Sequence, residues 1–125
     1  MLTCAPPRIV LTLSLLSFFQ VQLALAHAKL VSATPAANEI AMPPPSEFRL
    51  KFSEGIEIKF AKVKLTGPDK KEVKTGTPKL DEGDKTTLII PLAAPLVDGN
   101  YTVTWQVVST DSHKTQGSYS FQSMH

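Results

Sequence analysis

The sequence has 125 residues, of which 13 are Lys or Arg and 11 are Asp or Glu, giving a formal charge of +2. This length fits one domain of ordinary size. The near-neutral charge, without a basic block, excludes the usual electrostatic design of a nucleic-acid-binding protein. Cys4 is the sole cysteine, so the chain contains no internal disulfide.

The first 26 residues are typical of a cleaved secretory signal. Arg8 precedes the apolar run 9–19, and Ala-Leu-Ala at 24–26 fits a small-x-small cleavage site. A membrane anchor needs about 20 apolar residues, and this run is shorter. We therefore expect a signal peptide at 1–26 and an exported chain 27–125, which begins at His27. This chain has no thiol, so nitrogen, oxygen and thioether groups must supply any metal ligands.

Period-two alternation predicts strands along most of the exported chain. Residues 36–42 are expected to form one helical turn, which the proline run 43–45 ends. The alternating apolar positions that follow are Phe48, Leu50, Phe52; Ile56, Ile58, Phe60; Val63, Leu65; Leu88, Ile90, Leu92; Tyr101, Val103, Trp105, Val107; and Tyr119, Phe121. Turns are predicted at 54–55, 67–69, 81–84 and 98–99.

About seven short strands with one central tryptophan favour an all-β fold. The expected architecture is an immunoglobulin-like Greek-key β-sandwich or barrel, in one domain over 27–125. Trp105 lies on the apolar face of the most regular predicted strand. We expect it in the core, where aromatic residues on such a face usually pack.

Two of the three histidines of the exported chain are candidate metal ligands. Cleavage before His27 would free its α-amino group, which with imidazole Nδ1 can chelate one metal. Asp111 and His113 are two residues apart, so in an extended segment they would point to the same side. Together the three residues offer three nitrogens and one carboxylate oxygen, a set that suits tetragonal Cu(II). Zn(II) can use the same atoms but prefers a tetrahedron.

Simpler interpretations compete with the metal site. Asp-Ser-His at 111–113 is also an ordinary polar turn, in which Asp bonds its own backbone. His125 stands at the last position, where fraying is common. The acidic turn 81–84 is interpreted as a solvated loop, with a calcium site as the alternative, although it supplies few of the 6–8 oxygens that calcium takes.

Three stretches together resemble the CopC family of periplasmic copper-binding proteins. They are HAKLVSATPAANE at 27–39, FRLKFSEGIE at 48–57 and GNYTVTWQVVSTDSHKTQGSYSF at 99–121. The resemblance implies a Greek-key β-barrel of immunoglobulin-like topology. It also implies one Cu(II) per monomer, bound by His27 through amine and ring, by Asp111 and by His113. The implied setting is the periplasm, in copper homeostasis, resistance or delivery, with a CopD-like inner-membrane copper transporter as partner.

The chain departs from the family pattern in two places. Some members bind Cu(I) in a Met-rich loop, but residues 62–84 contain neither Met nor His, and Met42 and Met124 stand apart in the sequence. We therefore expect no Cu(I) site. Ser112 stands where the family more often has Gly, and a left-handed backbone there would cost a serine about 1 kcal/mol.

Two other functions are compatible with parts of the pattern. A copper ion held by an N-terminal His and a second His also occurs in lytic polysaccharide monooxygenases. The short chain, with few aromatic residues outside the core strands, lacks a flat sugar-stacking face, and an anionic ligand opposes the Cu(I) state needed for oxygen activation. We therefore expect no enzyme activity. In a plain exported interaction module, His27 and His113 would be incidental. A metal titration distinguishes the interaction module from a copper-binding protein. An oxygen-dependent turnover assay distinguishes the enzyme from a copper-binding protein.

Overall fold

The computed structural model describes residues 27–125, and the predicted signal peptide lies outside the described residues. Within this range are nine strands and one short 3-10 turn, Ile58–Phe60. The strands are β1 Leu30–Thr34, β2 Ile40–Ala41, β3 Glu47–Phe52, β4 Lys62–Thr66, β5 Glu72–Val73, β6 Lys79–Asp81, β7 Asp84–Pro91, β8 Gly99–Val108 and β9 Lys114–Ser123. Residues 27–125 contain no helix long and apolar enough to cross a membrane.

The strands form two sheets, which confirms the predicted all-β sandwich. One sheet has the order β1-β3-β7-β6 and the other β2-β9-β8-β4-β5. The longest pairing joins β8 and β9 in antiparallel register, from Gly99 opposite Ser123 to Val108 opposite Lys114. The loop 109–113 therefore lies at one end of this hairpin, and residue 98 lies beside residue 124 at the other end.

The core lies between the sheets, because alternate residues on the long strands are apolar. On β8 the alternation is regular, and all four predicted inward residues are buried: Tyr101, Val103, Trp105 and Val107. From the other sheet, Phe52 packs edge-on against Trp105, with ring centroids 5.1 Å apart. The predicted core position of Trp105 is confirmed. Each such side chain contributes about 1.5–3 kcal/mol by leaving water.

Two local predictions are wrong. Residues 36–42 form a turn followed by β2, because the Asn38 amide donates to the Ser120 carbonyl (2.7 Å) and β2 pairs in parallel with β9. These bonds to β9 replace those of a helical turn. Ile58 and Phe60 do not continue a buried strand. The backbone closes a 3-10 turn there, and Phe60 remains 57% exposed.

Gly117 has no side chain, and the indole of Trp105 occupies the space that a side chain there would need. The two residues are directly opposite each other on β9 and β8. A Cβ atom added at Gly117 would lie 2.6 Å from the indole Cζ2. That distance is well inside van der Waals contact, so any larger residue would push the indole out of its position between the sheets.

Replacing Gly117 by Ala is expected to lower the free energy of unfolding by about 1–3 kcal/mol, the usual cost of overpacking. Urea denaturation followed by fluorescence of the single tryptophan measures this change. Gly83→Ala is the matched control, because the nearest atom to its added Cβ is 3.9 Å away. Equal stabilities for the two variants would contradict the packing described for Trp105.

Candidate metal centre

Hydrogen bonds fix the segment that contains His27 to both sheets. Ala28 is 1% exposed, and its carbonyl accepts a bond from the Thr115 hydroxyl (2.9 Å) on β9. The Lys29 amide donates to Ser53 Oγ (2.9 Å) just after β3. Thr115 is two residues beyond His113, so this anchoring brings His27 beside the loop 109–113.

The loop 109–113 is a tight polar turn, as in the simpler interpretation of Asp-Ser-His, and not an extended segment. The Ser109 amide donates to the His113 carbonyl (2.9 Å), and the Ser112 amide donates to the Ser109 carbonyl (2.9 Å). Ser112 has φ 71°, in the left-handed region. The turn, and not a strand alternation, therefore brings Asp111 and His113 together.

The two carboxylate oxygens of Asp111 have different surroundings. Oδ1 accepts bonds from the Ser109 hydroxyl and from the His113 amide (3.3 Å). Oδ2 lies 3.0 Å from His113 Nδ1. The hydroxyl of Ser109 and the neighbouring His113 lower the pKa of Asp111 to about 2. The carboxylate is therefore ionised at neutral pH, with Oδ2 turned toward the histidine.

The rings of His27 and His113 meet edge to face. Their centroids are 5.0 Å apart, and the ring planes are inclined at 85°. The Nδ1 atoms of both rings are buried and have no hydrogen-bond partner, since the approach of His113 Nδ1 to Asp111 lacks hydrogen-bond geometry. Buried polar atoms without partners are rare and need an explanation such as a missing ion. Metal coordination would satisfy both nitrogens.

The three predicted ligands thus meet as two adjacent pairs, His27 with His113 and Asp111 with His113. Within residues 27–125, no group of three or more His, Cys, Asp or Glu side chains is already arranged to hold a metal. This includes the acidic turn 81–84, which gives the calcium alternative no support. The side chains alone do not complete a coordination shell, and the α-amino group of His27 is the donor that processing would add.

A surface concavity of about 690 Å³ lies away from these three residues. It is lined mainly by polar side chains of β4, β8 and β9, among them Lys62, Lys64 and Gln106. It is an open polar face, and none of the candidate ligands contributes to it.

Sequence reasoning missed Ser109, which organises the loop. Its side chain is fully buried, its hydroxyl donates to Asp111, and its amide closes the turn onto His113. The sequence did contain a signal for its burial. Ser109 follows Val107 by two residues, so the alternation of the strand predicts that Ser109 also faces inward.

Comparison with known proteins agrees with the fold. The CopC domain family model matches residues 30–123. The chain is 48% identical over 96 residues to protein YobA of Escherichia coli K12, covering 77% of each chain. It is 36% identical over 105 residues to copper resistance protein C of Pseudomonas syringae pv. tomato, covering 80% of this chain and 82% of that protein.

A solved structure extends the similarity to three dimensions. PcoC, described as a methionine-rich copper resistance protein from Escherichia coli, superposes with a TM-score of 0.71 at 32% identity. The alignment covers 79% of this chain and all of PcoC. By sequence and by fold, the chain belongs to the CopC family.

Proposed function

We propose that this protein is an exported copper-binding protein that holds one Cu(II) ion in copper homeostasis or resistance. The signal peptide 1–26 is removed, and His27 becomes the N-terminus in the periplasm. Its amine and Nδ1, a carboxylate oxygen of Asp111 and an imidazole nitrogen of His113 then bind the ion. The copper resistance proteins among its relatives support this function.

The observation that supports the site best is the pair of unpartnered Nδ1 atoms beside an ionised carboxylate. Two donors that bind one metal at about 2.0–2.1 Å in adjacent square positions lie roughly 2.9 Å apart. Asp111 Oδ2 and His113 Nδ1 are separated by 3.0 Å. These two atoms therefore already have the spacing of neighbouring ligands.

The donor set favours Cu(II) over Zn(II) and Cu(I). Three nitrogens and one oxygen suit a tetragonal shell, and copper stands above zinc in the Irving–Williams order. The set contains no sulfur, which Cu(I) prefers. The negative charge of Asp111 also attracts a divalent ion more than a monovalent one. The site therefore holds oxidised copper and does not cycle it, in keeping with a binding protein rather than an enzyme.

Delivery is part of the proposal. The resemblance to the CopC family implies that a CopD-like inner-membrane transporter receives the copper. The site suits such a transfer, because it lies at one end of the sandwich and the Asp111 and His113 side chains are 38% and 43% exposed. A partner could approach the ion at this end without opening the core. We propose that the protein acts as a monomer.

The role of the α-amino group is tested by keeping Ala26 ahead of His27. The extra residue turns the amine into a peptide amide and removes the chelate ring, so Cu(II) affinity is expected to fall at least about tenfold. Competition with a chelator of known affinity measures the loss against protein that starts at His27. Deleting His125 from the processed protein is the control, with unchanged Cu(II) affinity expected. Equal affinity of the extended and processed proteins would rule out this coordination.

Ser109→Ala tests the support of the Asp111 carboxylate. Loss of an outer hydrogen bond to a metal ligand typically costs about 10–100-fold in metal affinity. We expect a loss of this size in a Cu(II) competition assay. Ser118→Ala is the matched control, since Ser118 is exposed on the outer face of β9. If the two serine variants bound Cu(II) equally well, the Ser109 hydroxyl would have no part in the site.

A further inference from the structure

The backbone carbonyls of residues 27–29 all accept hydrogen bonds from the two sheets. The His27 carbonyl accepts a long bond from the Ser53 hydroxyl (3.4 Å), just after β3. The Ala28 carbonyl accepts the Thr115 hydroxyl (2.9 Å) on β9. The Lys29 carbonyl accepts the Ser53 amide (2.8 Å). None of these oxygens can therefore bind a metal ion without giving up a hydrogen bond within the protein.

Ser53 contacts this segment through three hydrogen bonds. Its hydroxyl accepts the Lys29 amide (2.9 Å) and donates to the His27 carbonyl, and its own amide donates to the Lys29 carbonyl. A serine hydroxyl has a single proton, so this proton is committed to the His27 carbonyl. The hydroxyl of Ser53 thus bridges the peptide groups on either side of Ala28 and fixes the direction of the His27 carbonyl.

An N-terminal histidine offers a divalent ion two different chelates. The amine can bind together with imidazole Nδ1, or together with the carbonyl oxygen of the same residue. Cu(II) accepts both nitrogen and oxygen donors, so its own preference does not exclude either chelate. In this fold the His27 carbonyl already has Ser53 as a partner, whereas His27 Nδ1 is buried and has none. The protein therefore favours the imidazole before any ion binds.

We propose that Ser53 and Thr115 are positioning residues that select the amine–imidazole chelate of His27. Ser53 retains the carbonyl that would compete with the ring, and Thr115 fixes the next peptide group to β9, beside the loop that contains His113. This inference rests on the proposed function, because the ion is the one bound by the N-terminal histidine. It extends that function to two hydroxyl side chains that do not bind the ion themselves.

These hydrogen bonds matter because removal of the signal peptide makes His27 a chain end. Chain ends are poorly ordered unless they are tied down. A ligand that is ordered before binding loses less conformational freedom when it binds. The bonds from Ser53 and Thr115 order residues 27–29 without the ion. Loss of either hydroxyl should therefore weaken Cu(II) binding.

Cu(II) competition assays on the processed protein test this role. Ser53→Ala and Thr115→Val each remove one hydroxyl and should lower the Cu(II) affinity about 10–100-fold, as loss of an outer hydrogen bond to a metal ligand typically does. Ser53→Thr and Thr115→Ser keep the hydroxyl and should bind as the parent does. The side chain of Ser53 is exposed, so it has room for an added methyl group. Ser32→Ala, at an exposed position of β1, is the matched control.

Two spectroscopic measurements separate positioning from a general loss of stability. In the metal-free protein, Ser53→Ala should speed hydrogen exchange of the Lys29 amide, which loses its acceptor, and Ser53→Thr should restore its protection. In the Cu(II)-loaded protein with nitrogen-15 in its histidines, pulsed electron paramagnetic resonance should show two coupled imidazoles for the parent. In Ser53→Ala, part of the copper should couple to one imidazole only, because the freed carbonyl replaces His27 Nδ1.

Three results would overturn the inference: Cu(II) affinity of Ser53→Ala equal to that of the parent, no recovery of affinity in the variants that keep the hydroxyl, or the same imidazole couplings in Ser53→Ala and the parent. Each of these leaves the proposed function intact, because the parent still binds Cu(II). A parent protein that binds no Cu(II) would contradict the proposed function itself, and this inference with it.

Discussion

The register of β8 against β9 is the constraint on which the rest of the structure depends. Ten consecutive pairs, from Gly99–Ser123 to Val108–Lys114, fix which residues face the core and which residues meet at each end. A slip of one residue would turn every side chain of a strand to the opposite face. The register is held by packing as well as by hydrogen bonds, because the indole of Trp105 fits only where the opposite residue is glycine.

At one end of this hairpin, the short loop 109–113 contains two of the candidate metal ligands. The buried Ser109 ties Asp111 into the turn, and the left-handed backbone at Ser112 turns the chain toward His113. The anchored segment at Ala28 brings His27 to the same place from the other side. Two imidazoles and an ionised carboxylate are thus gathered from distant parts of the chain, with the two ring centroids 5.0 Å apart.

The sequence predicted the central strands because their inward and outward residues alternate, as from Tyr101 to Val107. It failed where burial does not alternate. β1 has no buried residue, and β2 and β5 have only two residues each. Phe60 continued an apolar alternation, but a 3-10 turn replaces the strand and leaves this residue exposed. The local sequence pattern could not predict these short strands and this turn, because they depend on which neighbouring strands pair at each edge of the sheets.

The candidate ligands His27, Asp111 and His113 could be selected from the sequence because histidines are few and two of them have informative positions. Their spatial relation could not be predicted, since it depends on the turn at Ser112 and on the contact between Ala28 and Thr115.

Pulsed electron paramagnetic resonance of the Cu(II)-loaded processed protein, with nitrogen-15 in its histidines, tests the central claim most directly. We predict an axial Cu(II) signal coupled to two imidazole nitrogens and to the terminal amine, with one imidazole coupling lost in His113→Ala. Coupling to no histidine, or a spectrum that is the same with and without His113, would contradict the coordination on which this account rests.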